Sequence, residues 1–383
     1  MKKDFFAYIR PDEDELTQVW NNAIFTFDAN ILLNFYRYTS DTTKIFFDLL
    51  EKVKDRTWLT HQSVQEYFDN RLTVISEQEK TYSDLKDSIA KSIEEPLNNQ
   101  RKHPYISQAL LAEFKGISSK IKAELDARSQ EYSKRLSQDD ILNNIIAIFD
   151  SKVSSAFDAA KYDEIYKQGQ QRYDMNILPG FKDKSKGGSR QYGDLVLWNQ
   201  IIEIAKNEKK DVIFITDDEK EDCLYIHKGR TIGMLPALQI EFKKLTDKKA
   251  FINNAEKFIE NIGRVSKTQI TKDTIEEVIT LREENKLIFE HFGYDNLDNA
   301  LGEDEINTHI SKGIEYLAND LGWAELAQLG IFLSKNTPVN YRAFGFRSLK
   351  NFIESRLIFE IAYERKSPNA KNVDAAYVRI KSD

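Results

Sequence analysis

Residues 23–30 read AIFTFDAN. A short apolar run closes on one carboxylate, Asp28, and the apolar helical run ILLNFYRY follows at once. The pattern predicts a buried strand over 23–28 and a helix over 30–37. An acid at the carboxyl end of such a strand stands where open α/β sheets place their ligands.

Other acids share that address. Glu66 lies in the first turns of the helix after the strand TWLT, and Asp194 opens the helix DLVLW. Asp217 and Asp218 follow the strand VIFIT. In a parallel sheet, strand carboxyl ends and helix amino ends lie on one edge, so these acids can converge despite large gaps in sequence. Converging carboxylates repel and call for a cation, and an all-oxygen set selects Mg²⁺ or Mn²⁺. Each acid also has a plain alternative. Ser63 to Glu66 fits a capping box, Asp194 an N-cap, and Asp217 and Asp218 turn residues.

The 383 residues, 41 % apolar and 31 % charged, describe a globular chain of two or three domains. No run of about 18 apolar residues suggests a membrane span, and the opening MKKDFFAYIRPDEDE lacks the apolar core of a signal peptide. A lone cysteine, Cys223, excludes an internal disulfide and a Cys-rich zinc site, which fits a cytoplasmic protein. The net charge is −7, yet from Lys335 onward ten Lys and Arg face five acids. An acidic body and a basic end suggest metal binding in one part and polyanion contact in the other.

Residues 70–168 are almost free of Gly and Pro. Leu85, Ile89, Ile93 and Leu97 recur every fourth residue, as do Ile117, Ile121 and Leu125. This predicts long amphipathic helices packed as hairpins, a structural or partner-binding insertion. A loop over 178–194 carries Lys182, Lys184, Lys186 and Arg190, placed to contact phosphates before Asp194. After VIFIT, the run DDEKED reads as a turn opening a helix, with Lys220 beside the acids. TIGML reads as an edge strand, and helices over 236–245 and 248–262 close the α/β region. A charged helical connector spans 263–304. From about 305, helices, a loop, a further helix and two strands make a winged-helix pattern. Arg342, Arg347, Lys350 and Arg356 lie there beside Tyr341, Phe344 and Phe346, a mixture suited to RNA.

FDANILLNFY, VQEY, GDLVLWNQIIEIAK and VIFITDDEKED, in that order, resemble the PIN domain, in a bacterial PIN-like branch with a long helical insertion. The resemblance covers roughly 20–245. It implies a Rossmann-like α/β fold with a parallel sheet, and a Mg²⁺- or Mn²⁺-dependent nuclease acting usually on RNA. It maps the metal-holding and catalytic roles onto Asp28, Glu66, Asp194 and Asp218, with Asp217 open as the alternative fourth acid and Asn30 and Lys220 in support. Cys223 and Leu224 stand where that branch tends to carry a tryptophan. WAELAQLGIFLSKNTPVNYRAFGFRSLKNFIES, with AAYVRI, resembles the LOTUS (OST-HTH) domain, a winged-helix module linked to RNA binding. The expected layout is a nuclease domain over 1–262, a linker over 263–304 and the winged-helix domain over 305–383. A DNA nuclease in phage defence and a non-catalytic RNA-binding scaffold are the rival readings, and the insertion is a candidate surface for a homodimer.

Overall fold

Four short apolar strands form one parallel sheet: β1 (Ile24–Phe27), β2 (Thr57–Leu59), β3 (Val212–Ile215) and β6 (Ala250–Asn253), in the order β2-β1-β3-β6. In the computed structural model, the described residues are 1, 4–98, 106–175, 177–180, 188–218, 223–228, 230–292, 303–319, 321–336, 339, 348–356, 358–364 and 375–381. Two compact units, residues 1–283 and 284–383, divide the chain.

Strand alternation makes the layers. Phe25, Phe27, Ile213 and Ile215 face one core with α2 (Ala29–Asn34), α3 (Ser40–Lys52) and α11 (Ala255–Ser266). α1 (Glu13–Asn22) adds Val19 and Trp20 to that core. Ile24, Val212 and Phe214 face the other core with Trp198 and Ile201 of α9 (Gly193–Glu208) and Leu238 and Phe242 of α10 (Pro236–Thr246). Helices on both faces of a parallel sheet are the three-layer α/β arrangement. After β1 the chain moves outward to β2, then returns to place β3 on the other side of β1. The switch point is therefore the crevice between β1 and β3. Beyond β2, Leu59 pairs with Val153 and covers that edge.

The insertion begins inside α4 (His61–Ile89), which starts at the sheet edge and continues through a π-helical turn at Ala90–Glu94 into α5 (Glu95–Asn98). It returns antiparallel as α6 (Gln108–Arg135), and α7 (Asp140–Phe149) and α8 (Ala159–Asp174) complete it. Buried polar contacts root the hairpin. The Asp139 carboxylate accepts from Arg71 Nη1 at 2.5 Å and from Tyr36 Oη at 2.6 Å, and it caps α7 through Leu142 N at 2.9 Å. Tyr36 Oη also meets Tyr67 Oη at 2.7 Å, and burial pushes both phenols up.

Three local expectations change. β6 lies inside the stretch read as helix 248–262; Ala250–Asn253 pairs in register with Val212–Ile215, and the helix starts only after Asn254, which caps it through Lys257 N at 2.9 Å. AFIN alternates between buried and half-buried residues, which suits a strand. TIGML is not an edge of the parallel sheet. β5 (Arg230–Met234) pairs antiparallel with β4 (Leu224–His227) in a separate hairpin. That strand also stands where a helix after DDEKED was expected, while 219–222 lie outside the described residues.

The connector contains α12 (Lys272–Phe292), whose Val278 is buried in the core that Phe25 and Ile213 face. Glu277 on α12 accepts from Thr39 N, Thr39 Oγ1 and Thr42 Oγ1, at the amino end of α3. The C-terminal unit holds α13 (Glu303–Leu317), β7 (Ala324–Glu325), α14 (Leu326–Asn336), α15 (Leu349–Glu354), β8 (Phe359–Glu364) and β9 (Ala375–Ile380). Its antiparallel sheet has the order β7-β9-β8 and closes over Ile310, Leu329, Phe352 and Val378. This is the winged-helix pattern, with β7 as a strand the sequence did not suggest.

Candidate active site

Asp28 follows β1 and caps α2. Its Oδ1 accepts from Ala29 N at 2.8 Å. Its Oδ2 accepts from Asn30 Nδ2 at 2.7 Å and from Thr216 Oγ1 at 2.7 Å. Thr216 directly follows β3, so its bond to Asp28 ties the adjacent strand ends of the switch point together. The Thr216 hydroxyl in turn accepts from Asp218 N at 3.0 Å and from Asn30 Nδ2 at 3.1 Å. Asn30 Oδ1 accepts from Asp217 N at 3.4 Å. One asparagine and one threonine thus set the turn that follows β3.

The two acids of that turn go different ways. Asp218 lines a cleft together with Asp28 and Asp194. Asp217 turns toward α2 and α11: its carboxylate accepts from Asn34 Nδ2 at 3.2 Å and from Ala255 N at 3.0 Å. Burial raises the Asp217 carboxyl to about 6, against the opposing effect of these hydrogen bonds. Asn34 was not singled out from the sequence. It stands four residues after Asn30, on the same face of α2, and that spacing is the signal that marks it.

Asp194 sits in the first turn of α9, where the helix dipole favours an anion. The chain before α9 wraps over it. Gly180 has φ +86°, and a Cβ added there would lie 3.0 Å from Asp194 Cβ and 2.6 Å from Tyr173 Oη. Tyr173 Oη donates to Gln191 O at 2.9 Å. Arg172 donates to Leu178 O and pairs with Glu241 of α10 at 2.7 Å, which fixes the start of the loop. Pro179 lines the cleft beside the acids.

Glu66 reaches the site from α4. Thr60 caps that helix through Ser63 N at 3.0 Å, so the capping-box alternative for Ser63 and Glu66 does not hold. Glu66 Oε1 accepts from Gln62 Nε2 at 2.6 Å and lies 3.5 Å from where a Cβ on Gly193 would stand. Gln200 Oε1 accepts from Gln62 N at 2.9 Å and locks α4 against α9. Glu66 therefore stands at the amino end of α9, beside Gly193, the residue that precedes Asp194, and is not among the residues lining the cleft of Asp28, Asp194 and Asp218.

The donors offered are carboxylate, amide and hydroxyl oxygens, which fits a hard divalent cation. Among the described residues, no three acidic, His or Cys side chains stand close enough together to form a ready-made metal cluster. Lys182, Lys184, Lys186 and Lys220 lie outside the described residues, as does the side chain of Arg190.

In the C-terminal unit, Arg342 and Arg347, with Tyr341, Phe344 and Phe346, also lie outside the described residues. Lys350 is on α15, 3.7 Å from Glu354 and over the Tyr363 ring at 4.7 Å. Arg356 is not on the surface. It is buried, donates to Phe352 O at 2.8 Å and stacks on the Phe352 ring. A guanidinium at a helix end satisfies the last carbonyls, and that duty outweighs solvent exposure here.

No curated protein and no solved structure matches the chain significantly. The OST-HTH/LOTUS domain model matches residues 305–369, over the winged-helix unit. The model of the PIN like domain matches residues 24–240, more than half of the 383, and spans β1, the helical insertion and Asp28, Glu66, Asp194, Asp217 and Asp218. No helix of the described residues is long and apolar enough to cross a membrane. With the parallel sheet in the order β2-β1-β3-β6 and acids at its switch point, the chain belongs to the PIN-like domain family, joined to a C-terminal OST-HTH/LOTUS domain.

Proposed function

We propose that the protein is a cytoplasmic, Mg²⁺- or Mn²⁺-dependent endoribonuclease whose C-terminal domain supplies RNA affinity. The observation that carries this reading is the cleft shared by Asp28, Asp194 and Asp218 at the β1/β3 switch point. Asp28, Asp194 and Asp218 would hold the cation, with Glu66 assigned to the set from the neighbouring α4. Asp218 is preferred over Asp217, whose carboxylate is engaged by Asn34 and Ala255. Bound there, a divalent cation neutralises the carboxylates and stabilises the charge that develops on the phosphate. Asn30 and Thr216 aim the Asp28 carboxylate by donating to it. Water attacks phosphorus in line, the bond to the leaving oxygen breaks, and no covalent enzyme intermediate forms. Lys184, Lys186, Arg190 and Lys220 are assigned to phosphate contact near the cleft, and Arg342, Arg347 and Lys350 to RNA contact in the C-terminal domain.

The test uses labelled single-stranded RNA and DNA with Mg²⁺, Mn²⁺ or EDTA, comparing the wild type with Asp194→Asn and Asp218→Asn. Metal-dependent RNA cleavage lost in both variants is expected. Cleavage that survives either one sinks the site assignment. Cutting of DNA alone moves the substrate to DNA, and no cutting of either polymer favours an RNA-binding scaffold.

A further inference from the structure

α12 carries the chain from one unit to the next, yet one of its faces is built into the sheet domain. Thr274, Val278 and Arg282 recur every fourth residue and so share that face. Thr274 and Val278 are buried. Arg282 lies two residues before the C-terminal unit begins at Glu284, and its side chain is 13 % exposed. A guanidinium held that far from water is costly unless acids surround it.

Three acids do so. Arg282 Nη1 donates to Glu256 Oε2 at 3.1 Å, and Nη2 donates to Glu283 Oε1 at 3.2 Å. The third is Asp217. Burial raises the Asp217 carboxyl, and the charge of Arg282 is among the influences that pull it back down. Glu256 directly follows Ala255, whose N–H donates to Asp217 at 3.0 Å. Two carboxylates, Asp217 and Glu256, therefore share the amino end of α11, and the charge of Asp28 adds to the repulsion on Asp217. The dipole of α11 offsets part of that repulsion, and Arg282 supplies a positive charge that acts on both acids. A planar peptide bond joins Asp217 to Asp218, so whatever fixes the first orients the second.

We propose that Arg282 is a positioning residue for the candidate active site: it clamps Asp217 to the first turn of α11 and so holds the turn that presents Asp218 to the cleft. Asn30 and Thr216 hold that turn from the side of β1. Arg282 holds it from the opposite partner, the connector helix. The consequence for metal binding rests on the reading of the cleft as a metal site, whereas the hold on the turn does not.

The test uses the full chain and reads the turn first without metal. In EDTA, hydrogen exchange followed by mass spectrometry reports on peptides carrying the amides of Asp217, Asp218 and Ala255, which are bonded to Asn30, Thr216 and Asp217. Arg282→Met is expected to speed their exchange at least about tenfold, and the charge-keeping Arg282→Lys by no more than about threefold. Val278→Ala thins the packing of the same helix without touching the turn, and is expected to leave these amides within about threefold of the wild type. The second reading is Mn²⁺ binding without RNA, followed by electron paramagnetic resonance. Arg282→Met is expected to raise the dissociation constant at least about tenfold, as the loss of a group that orients a ligand does, and to leave RNA affinity unchanged. Arg282→Gln takes the place of the methionine variant if that one does not fold. Unchanged exchange in the uncharged variant overturns the proposal, and so does an equal effect of Val278→Ala. Faster exchange with unchanged Mn²⁺ affinity, where Asp194→Asn does weaken it, overturns the role toward the metal. Mn²⁺ affinity indifferent to Asp194→Asn instead sinks the reading of the cleft, and the exchange rates still decide whether Arg282 holds the turn.

Discussion

Thr216→Val removes one hydroxyl and leaves the shape of the side chain intact. That hydroxyl donates to the Asp28 carboxylate at 2.7 Å and accepts from Asp218 N at 3.0 Å and Asn30 Nδ2 at 3.1 Å. A hydrogen bond to a charged group contributes about 1.5–3 kcal/mol, and a stranded N–H costs about 1 kcal/mol or more. Asn30 Nδ2 keeps its bond to Asp28, so that contact adds nothing to the loss. The valine methyl returns up to about 0.8 kcal/mol of burial at this buried position. The net loss is about 2–3 kcal/mol. For a unit of 283 residues that lowers Tm by about 4–6 °C. Calorimetry in EDTA at neutral pH measures it, with Thr216→Ser as the control that keeps the hydroxyl and should stay within about 1 kcal/mol of the wild type. A valine variant as stable as the wild type refutes the network. A serine variant as unstable as the valine one shows that the methyl, not the hydroxyl, matters.

Three further outcomes are expected. Arg71→Met leaves the Asp139 carboxylate, whose side chain is 4 % exposed, without its cation, with only Tyr36 and Leu142 N still donating to it, and should cost about 3 kcal/mol in urea unfolding; a loss under about 1 kcal/mol would mean the pair is dispensable. The fold raises the Asp217 carboxyl from 3.8 to about 6, so its contribution is full below 3.8 and is lost as pH rises through about 6. Asp217→Asn should therefore flatten the stability profile between those values, and an unchanged slope in EDTA tells against it. Gly180→Ala places a methyl at φ +86° against Tyr173 and Asp194, and should cut cleavage at least about tenfold while stability falls by about 1–2 kcal/mol; full activity would show that the loop plays no part in placing Asp194.

The strand ending at Asp28 was legible because a buried parallel strand is apolar throughout and the acid breaks the run. The same logic located β3. It failed at β6, where AFIN is followed directly by NAEKF and the helical run swallowed the strand. Asn254 is the cap that separates them, and a cap is visible only once the register is known. Adjacent acids at a strand end are harder still. Asp217 and Asp218 differ by one position, and only Asn34 and Ala255, brought from distant parts of the chain, separate their roles. Glu66 misled in another way, because Ser63 imitates a cap that Thr60 supplies. Arg356 looked like a surface cation, yet its aliphatic stem and guanidinium both find duties inside.

The hydrogen bonds from Ala29, Asn30 and Thr216 onto the Asp28 carboxylate all run one way. Three hydrogens, from Ala29, Asn30 and Thr216, point at a group that has none to give. The usual inactivating exchange at such a position, Asp28→Asn, brings in two more. Turned one way, the new amide opposes Ala29 N–H. Turned the other, it opposes Asn30, whose own oxygen is occupied by Asp217 N. A dead Asp28→Asn protein would thus confound a lost ligand with a disordered turn. Asp194→Asn, at the start of a helix, is the cleaner control, and a catalytic claim for this cleft rests more safely on it than on the acid that reveals the cleft.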